Sequence, residues 1–420
     1  MAITAAERKR VAWAVVGAVA FGCAPNPPGP APAPGPSAGE PSIQIGLLVG
    51  AASVAVGGDA AVALTQPDGG RVLDIPAGEV WRATAVAGGI ALSSGAGVTV
   101  NTVPEARLLP TDSAAALRVN GRPYRGTLAL LRDRAGITVV NQVGLEAYLL
   151  GVVSGEMGRR DPAEREALRA QAIVSRTYAL RNLGRWRTQG FDLQPSVADQ
   201  VYGGIGAETA EARDAVTATR GQIVSWGGQP IDAFFFSTCG GRTADGVEVF
   251  RGADRPYLRS VPDIDQAGQA YCSISPRFRW REEWTAEALR AVLRRSLPDV
   301  VGVPAAQVGE VRDVRVAMRT PSGRVAQLTV ALQDNDVQVD GPQVRQVLRT
   351  PAGDILRSTA FTLSATRTGR RISRLVADGN GNGHGVGFCQ WGAVGRARAG
   401  QDYQQIIAAY YPGTELERLY

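Results

Sequence analysis

The sequence predicts an α+β fold: a β-rich N-terminal module, then a mixed α+β core with an inserted α/β lobe. Three observations lead there. From Ser42 to about Thr138, short apolar runs such as "IQIGLLV", "GVTV" and "LALL" are separated by Gly, Pro, Asp and Asn, the punctuation of strands and tight turns. Near Gly144 the apolar spacing becomes helical and stays so to about Leu183. Beyond Gly221, strand-like and helix-like segments are mixed.

The segments bear this out in order. "ERKR" (7–10) is a basic stretch, and "VAWAVVGAVAFG" (11–22) is an apolar run of twelve residues. That is short of the ~20 apolar residues of a membrane-spanning helix, so residues 1–23 read as a signal peptide. Cys23 stands where a lipoprotein signal would be cut and the cysteine acylated, although Phe21 and Ala20 depart from the usual lipobox; an ordinary signal peptide is the alternative. "APNPPGPAPAPGPSAGEP" (24–41) is dense in proline, which lacks backbone donors and favours extended polyproline II, so it reads as a semi-rigid linker.

Residues 42–138 form the β-rich module. Within it "ALRVNGRPYRG" (116–126) reads as a hairpin, because Asn120-Gly121 readily takes positive φ at both turn positions. Residues 139–420 form the core. "GLEAYLLGVVSGEM" (144–157) has helical spacing that stops around Gly155. A second helix starts at an Asp161 N-cap with Pro162 in the first turn and Glu164 at N3, and shows a small-residue face of Leu168, Ala172, Ser175 and Ala179. "GQIVSWGGQPIDAFFFSTCGGRT" (221–243) reads as two strands about a glycine turn, 285–297 as an amphipathic helix, and 324–332 as a strand. Residues 282–348 read as the inserted lobe.

Composition narrows the function. Across 420 residues, 45% are hydrophobic and 20% charged, an ordinary globular balance. The net charge of +6 comes almost entirely from arginine, with Lys9 the sole lysine. No basic run interleaved with aromatics appears, so a polar or anionic polymer fits better than nucleic acid. No G-x-G-x-x-G or Walker pattern is present, and no cofactor is expected.

Glu156 is the first candidate for chemistry. Val152, Val153 and Met157 surround it, it follows a helix end, and no base adjoins it. Desolvation and the negative end of a helix dipole both favour a protonated carboxyl, which a general acid requires. From local pattern alone a plain exposed turn glutamate stays open.

Taken together, "VGLEAYLLGVVSGEM", "ALRAQAIVSRTYAL", "DQVYGG", "FFFSTCGGRT", "PYLRSVPD", "GHGVGFCQWGA" and "YYPGTEL" resemble, in order, the SpoIID/LytB family over roughly residues 116–416. The resemblance implies a lytic transglycosylase that cuts peptidoglycan glycan strands, or an amidase enhancer, and it puts Glu156 at the catalytic glutamate. One carboxyl suffices for such a reaction, because the sugar's own C6 hydroxyl attacks; hydrolases need two. The partners implied are glycan strands, a cell-wall amidase, and the membrane through a lipid anchor on Cys23, in the cell envelope. Arg176, Tyr178, Gln200, Tyr202, Ser237, Gly240, Gly241, Thr243 and Gln390 lie in the matching segments as candidate glycan-binding positions, with a buried hydrogen-bonder holding loops together as the equal alternative for Arg176, Tyr178, Gln200, Tyr202, Ser237 and Thr243. His384, the only histidine, is expected in the groove beside Glu156, with a structural histidine capping a turn as the alternative.

The cysteines admit several readings. A Cys239–Cys272 disulfide is expected in an exported chain. A zinc site of Cys239, Cys272, Cys389 and His384 has a usable ligand set but no C-x-x-C spacing, and Asp199 in "QPSVADQVY" stands where some family members carry a metal-linked cysteine; no metal is expected. Cys389 beside His384 also suggests a Cys–His cell-wall hydrolase, against the plainer reading of a packed free thiol.

Overall fold

The structure, a computed structural model, describes residues 39–103 and 105–420. The expected signal peptide, Cys23 and the proline-rich linker up to residue 38 lie outside the described residues. Sheets and helices are both abundant, as an α+β fold requires.

Up to Gly144 the described chain is built of strands in two antiparallel six-stranded sheets. One runs in the order Ser42–Ala51, Ile137–Gly144, Thr127–Arg132, Glu105–Pro110, Val62–Thr65, Arg71–Ile75. The other runs Arg122–Tyr124, Leu117–Val119, Ser53–Gly58, Val80–Val86, Gly89–Ser94, Thr99–Val103. Side chains two apart share a face of a strand, and the pairs Ile43/Ile45, Val54/Val56, Val62/Leu64 and Leu128/Leu130 are all buried. Asn120 and Gly121 both take positive φ (49° and 80°), closing the Leu117–Val119/Arg122–Tyr124 hairpin. The first sheet continues through Gly144, so residue 138 falls inside a strand.

That strand runs straight into helix α1 (Leu145–Met157). The helix does not stop at Gly155: it ends at Gly158, whose N–H donates to the Ser154 carbonyl. Glu156 therefore sits in the last helical turn. Helix α2 (Arg165–Arg181) follows a short 3-10 turn, at whose start the Asp161 N–H donates to Glu164 Oε2 (3.3 Å). Its small-residue face is buried, and α2 packs against α1 and against α3 (Ala210–Ala218).

The rest of the chain adds α4 (Gly246–Val249), α5 (Ala286–Val301), α6 (Gly341–Val347), α7 (Gln390–Arg398) and α8 (Tyr403–Tyr410). A parallel pair, Phe235–Phe236 with Phe388–Cys389, joins two segments far apart in sequence, and α7 packs on α2. Residues from Trp280 to Ala377 share one hydrophobic cluster that includes Trp284, Leu293, Leu328 and Leu375. The sheet closing this lobe pairs Arg279–Thr285 and Phe361–Thr368 with Arg371–Asn380, so it extends well past residue 348.

Candidate active site around Glu156

Gly151 and Gly155 lie four residues apart, hence on one face of α1. A Cβ at Gly151 would meet the Tyr202 ring at 2.9 Å, and one at Gly155 the Val201 carbonyl oxygen at 2.7 Å. Only this bare strip of helix lets the 200–204 loop lie so close, and the approach creates the site. The Val201 N–H donates to Glu156 Oε1 (2.7 Å). From the other side the Gln390 side-chain amide, in the first turn of α7, donates to Oε2 (3.2 Å).

Glu156 is half-buried, with no cation among its hydrogen-bond partners. Burial raises its pKa above the ordinary carboxylate range, and the two neutral donors only partly oppose the shift. The other acid on the adjoining loop, Asp199, is buried and saturated by the Trp186 indole N–H (2.7 Å), the Gln194 N–H (2.8 Å), the Tyr178 hydroxyl (3.2 Å) and Arg185 (3.0 Å). It stays a structural acceptor and is not free to act as a second catalytic carboxyl. Beside Gln390, the half-buried Trp391 holds the Arg160 guanidinium 4.5 Å over its ring.

Of the expected glycan-binding positions, the structure brings Gln390 directly to Glu156. Ser237 is near by: it is half-buried, and its carbonyl accepts the Trp391 N–H (3.0 Å). Several others are in the interior, and their assignment to glycan is corrected. Arg176 is fully buried and grips Glu146 with Nε and Nη2 (both 2.7 Å), leaving Nη1 on the Gln222 carbonyl (3.0 Å). Buried Gln200 accepts from Tyr148 and donates to the Ser175 carbonyl, and Tyr202 donates to Asn141 (3.0 Å). Tyr178 bonds Asp199, and Thr243 accepts the Val261 N–H (2.8 Å). Of these, Gln200, Tyr202 and the Tyr178–Asp199 bond hold the loop from behind. Gly240 lines a separate cavity of about 340 Å³ with Arg242 and Arg319, away from Glu156; Gly241 directs its N–H to Cys239 Sγ (3.3 Å).

His384 also differs from expectation. Its Nε2 lies 2.8 Å from the Phe235 carbonyl, and its Nδ1 accepts the Val386 N–H (3.2 Å). Both ring nitrogens are thus occupied by backbone, with Nε2 the protonated one. The rings of Phe236 and Phe250 lie 5.2 Å away, and burial pushes the imidazole pKa down to about 4. It borders a cavity of about 230 Å³ with Arg324 and Arg345, a cavity that Glu156 does not line. His384 is a neutral turn-holding residue.

The cysteines correct one further expectation, the disulfide. Cys239 and Cys272 are neighbours but unbonded, with Sγ atoms 3.4 Å apart. Cys389 is fully buried, and its Sγ accepts N–H groups of Cys239 (3.1 Å) and Gly392 (3.3 Å) without touching His384, so a Cys–His hydrolase dyad is absent. Nothing in the sequence pattern pointed to the Val201 N–H, since every residue carries one. Asp263, which closes "PYLRSVPD", reaches the same cysteines and was equally silent.

Comparison with known proteins adds the ancestry. Residues 133–226, which carry Glu156 and Val201, match the stage II sporulation protein family, SpoIID. The segment that carries Glu156 is thus similar to the SpoIID/LytB family. Among its SpoIID relatives, Stage II sporulation protein D of Bacillus subtilis is 29% identical over 294 residues, 66% of this chain and 75% of that protein. The Bacillus amyloliquefaciens protein of the same name is 28% identical over 363 residues, covering 77% and 94%. The Amidase enhancer of Bacillus subtilis is 26% identical over 296 residues, 64% of this chain but only 40% of its own length. Residues 269–387 match a domain of unknown function (DUF8618), so the lobe and His384 lie outside the SpoIID segment.

Proposed function

We propose that this protein is an exported lytic transglycosylase that cleaves the MurNAc–GlcNAc bond of peptidoglycan, with Glu156 as its single acid/base. The observation that carries the reading is Glu156 itself: a half-buried, raised-pKa carboxyl, held by two neutral donors and without a second free carboxylate on the adjoining loop. A carboxyl that keeps its proton above the ordinary carboxylate range gives that proton to the glycosidic oxygen as the bond breaks. The resulting carboxylate is stabilised by the Val201 and Gln390 N–H groups and takes the proton of the sugar C6 hydroxyl as that oxygen closes on the anomeric carbon. The product is a 1,6-anhydro-MurNAc end, with no water consumed. Kinship with proteins named for sporulation and for amidase enhancement supports a cell-wall role and a place in the cell envelope. The acylated Cys23 anchor and an amidase partner belong to the same proposal. Among the described residues no helix is long and apolar enough to cross a membrane.

The similarity to an amidase enhancer favours a second reading, a glycan-binding protein that assists an amidase without cutting. Mass spectrometry of intact and peptide-stripped peptidoglycan after incubation with the full chain separates the two. Anhydro-MurNAc products from wild type and none from Glu156→Gln are expected. Glycan binding without cleavage of either substrate would leave the second reading; reducing-end products would mean hydrolysis.

A further inference from the structure

We propose that Cys239, Cys272, Cys389 and Asp263 form a closed four-ligand site for a thiophilic divalent cation, zinc in the first instance. One ligand atom from each lies within 4.8 Å of all the others, and all four residues are buried. Cys239 Sγ is 3.4 Å from Cys272 Sγ and 3.1 Å from Asp263 Oδ2. Tetrahedral zinc, with Zn–S bonds of about 2.3 Å, sets its sulfurs about 3.8 Å apart, so the Cys239–Cys272 pair would open by a few tenths of an ångström and wider pairs in the cluster would draw in. A disulfide would engage two of the three thiols at about 2.05 Å and leave Cys389 and Asp263 Oδ2 outside the bond.

The surroundings are those of a ligand set. Asp263 Oδ1 is held by Arg396 Nε (3.0 Å) and the Tyr410 hydroxyl (2.9 Å), which turns Oδ2 toward the sulfurs. The N–H groups of Gly241 and Gly392 point at Cys239 and Cys389 Sγ, both at 3.3 Å, and the Cys239 N–H points at Cys389 Sγ (3.1 Å). Such second-layer bonds orient ligands and offset their charge. Arg324, buried behind the Cys239 carbonyl (3.1 Å), and Arg396 counter the excess negative charge of three thiolates and a carboxylate around a dication.

The ligands join segments far apart in sequence: the strand end after Phe236, the 263–272 turn, and the start of α7, where Cys389 is the N-cap. Gln390, the next residue, donates to Glu156. The site therefore staples the start of α7, which carries Gln390. Binding exchanges thiol protons for metal–sulfur bonds, with the protons released to solvent.

The test is elemental analysis of the full chain purified without chelator, followed by cobalt(II) reconstitution. Expected are about one zinc per chain, thiolate-to-cobalt charge-transfer bands with tetrahedral d–d absorption, and a melting temperature that falls on chelation and recovers with zinc. Asp263→Asn, which keeps the shape, should lose about 10–100-fold in zinc affinity. Cys272→Ser should weaken the charge-transfer bands, which track the number of thiolate ligands; as a check independent of that variant's folding, wild-type cysteines are also mapped by alkylation and peptide mass spectrometry. A Cys239–Cys272 cross-linked peptide in metal-free, folded protein overturns the site, as does folded wild type that takes up neither zinc nor cobalt.

Discussion

Helix α1 carries two glutamates ten residues apart that meet opposite environments. Glu146, in the first turn, is buried against Arg176, and it also accepts from the Tyr420 hydroxyl (2.6 Å) and the Gly221 N–H (3.3 Å). Burial alone would raise its pKa, but the guanidinium and these donors outweigh burial and hold the carboxyl below its usual range. Glu156, in the last turn, has neutral donors only, and burial prevails. The helix dipole acts in the same two directions, favouring a carboxylate at the N-terminus and disfavouring one at the C-terminus. One residue type on one helix thus gives an ion-paired carboxylate and a carboxyl of raised pKa. The difference is a guanidinium.

The largest expected effect falls on Glu156. Replacing it with Gln should cut transglycosylation by about 10²–10⁴-fold, read by product mass spectrometry. Stability should move the other way. A carboxyl whose folded pKa lies above its unfolded one contributes stability at low pH that is lost as pH rises through the folded value. Glu156→Gln should therefore match wild type near pH 4 and exceed it at pH 8 in urea unfolding; equal stability at both would deny the raised pKa.

Arg176→Ala, which strands Glu146 in the interior, should destabilise by about 3–5 kcal/mol in the same assay. Glu146 has the depressed pKa, so its contribution is present above the unfolded carboxylate pKa and lost as pH falls through the folded one. The variant should lose that part of the acid sensitivity of wild type. An unchanged acid limb would mean that the pair does not set it.

Gly155→Ala should cost about 1–3 kcal/mol, because the new Cβ drives the Val201 carbonyl away, and activity should fall as the Glu156–Val201 bond lengthens. The smallest effect is a shift of the pH profile. Activity should decline on an alkaline limb set by Glu156 and lying above the ordinary carboxylate range. Gln390→Leu, which removes a donor to the carboxylate, should move that limb to higher pH. A limb that moves down would mean Gln390 favours the acid form.

The elements were legible where their causes are local. Asn120-Gly121 closes its own turn, Asp161 and Glu164 mark the start of the second helix, and α5 shows its amphipathic spacing within sixteen residues. Of the candidate site, Glu156 and Gln390 were named from sequence, but their contact was not. The buried positions Arg176, Gln200 and Tyr202 read as glycan ligands because a polar side chain in a functional segment looks the same whether it faces a groove or the core.

By itself the sequence determined the α+β class, the order of the elements and the segments that carry the family signature, because backbone geometry and helix caps depend on residues a few positions apart. Only the tertiary structure decided which glutamate meets a cation, that His384 is held by backbone, and that three cysteines gather on Asp263. Those partners lie 30 residues away for Glu146 and Arg176, 150 for Cys239 and Cys389, and 234 for Glu156 and Gln390. Proton affinity and metal affinity are set by what surrounds an atom in space, and at such separations the sequence alone does not show it.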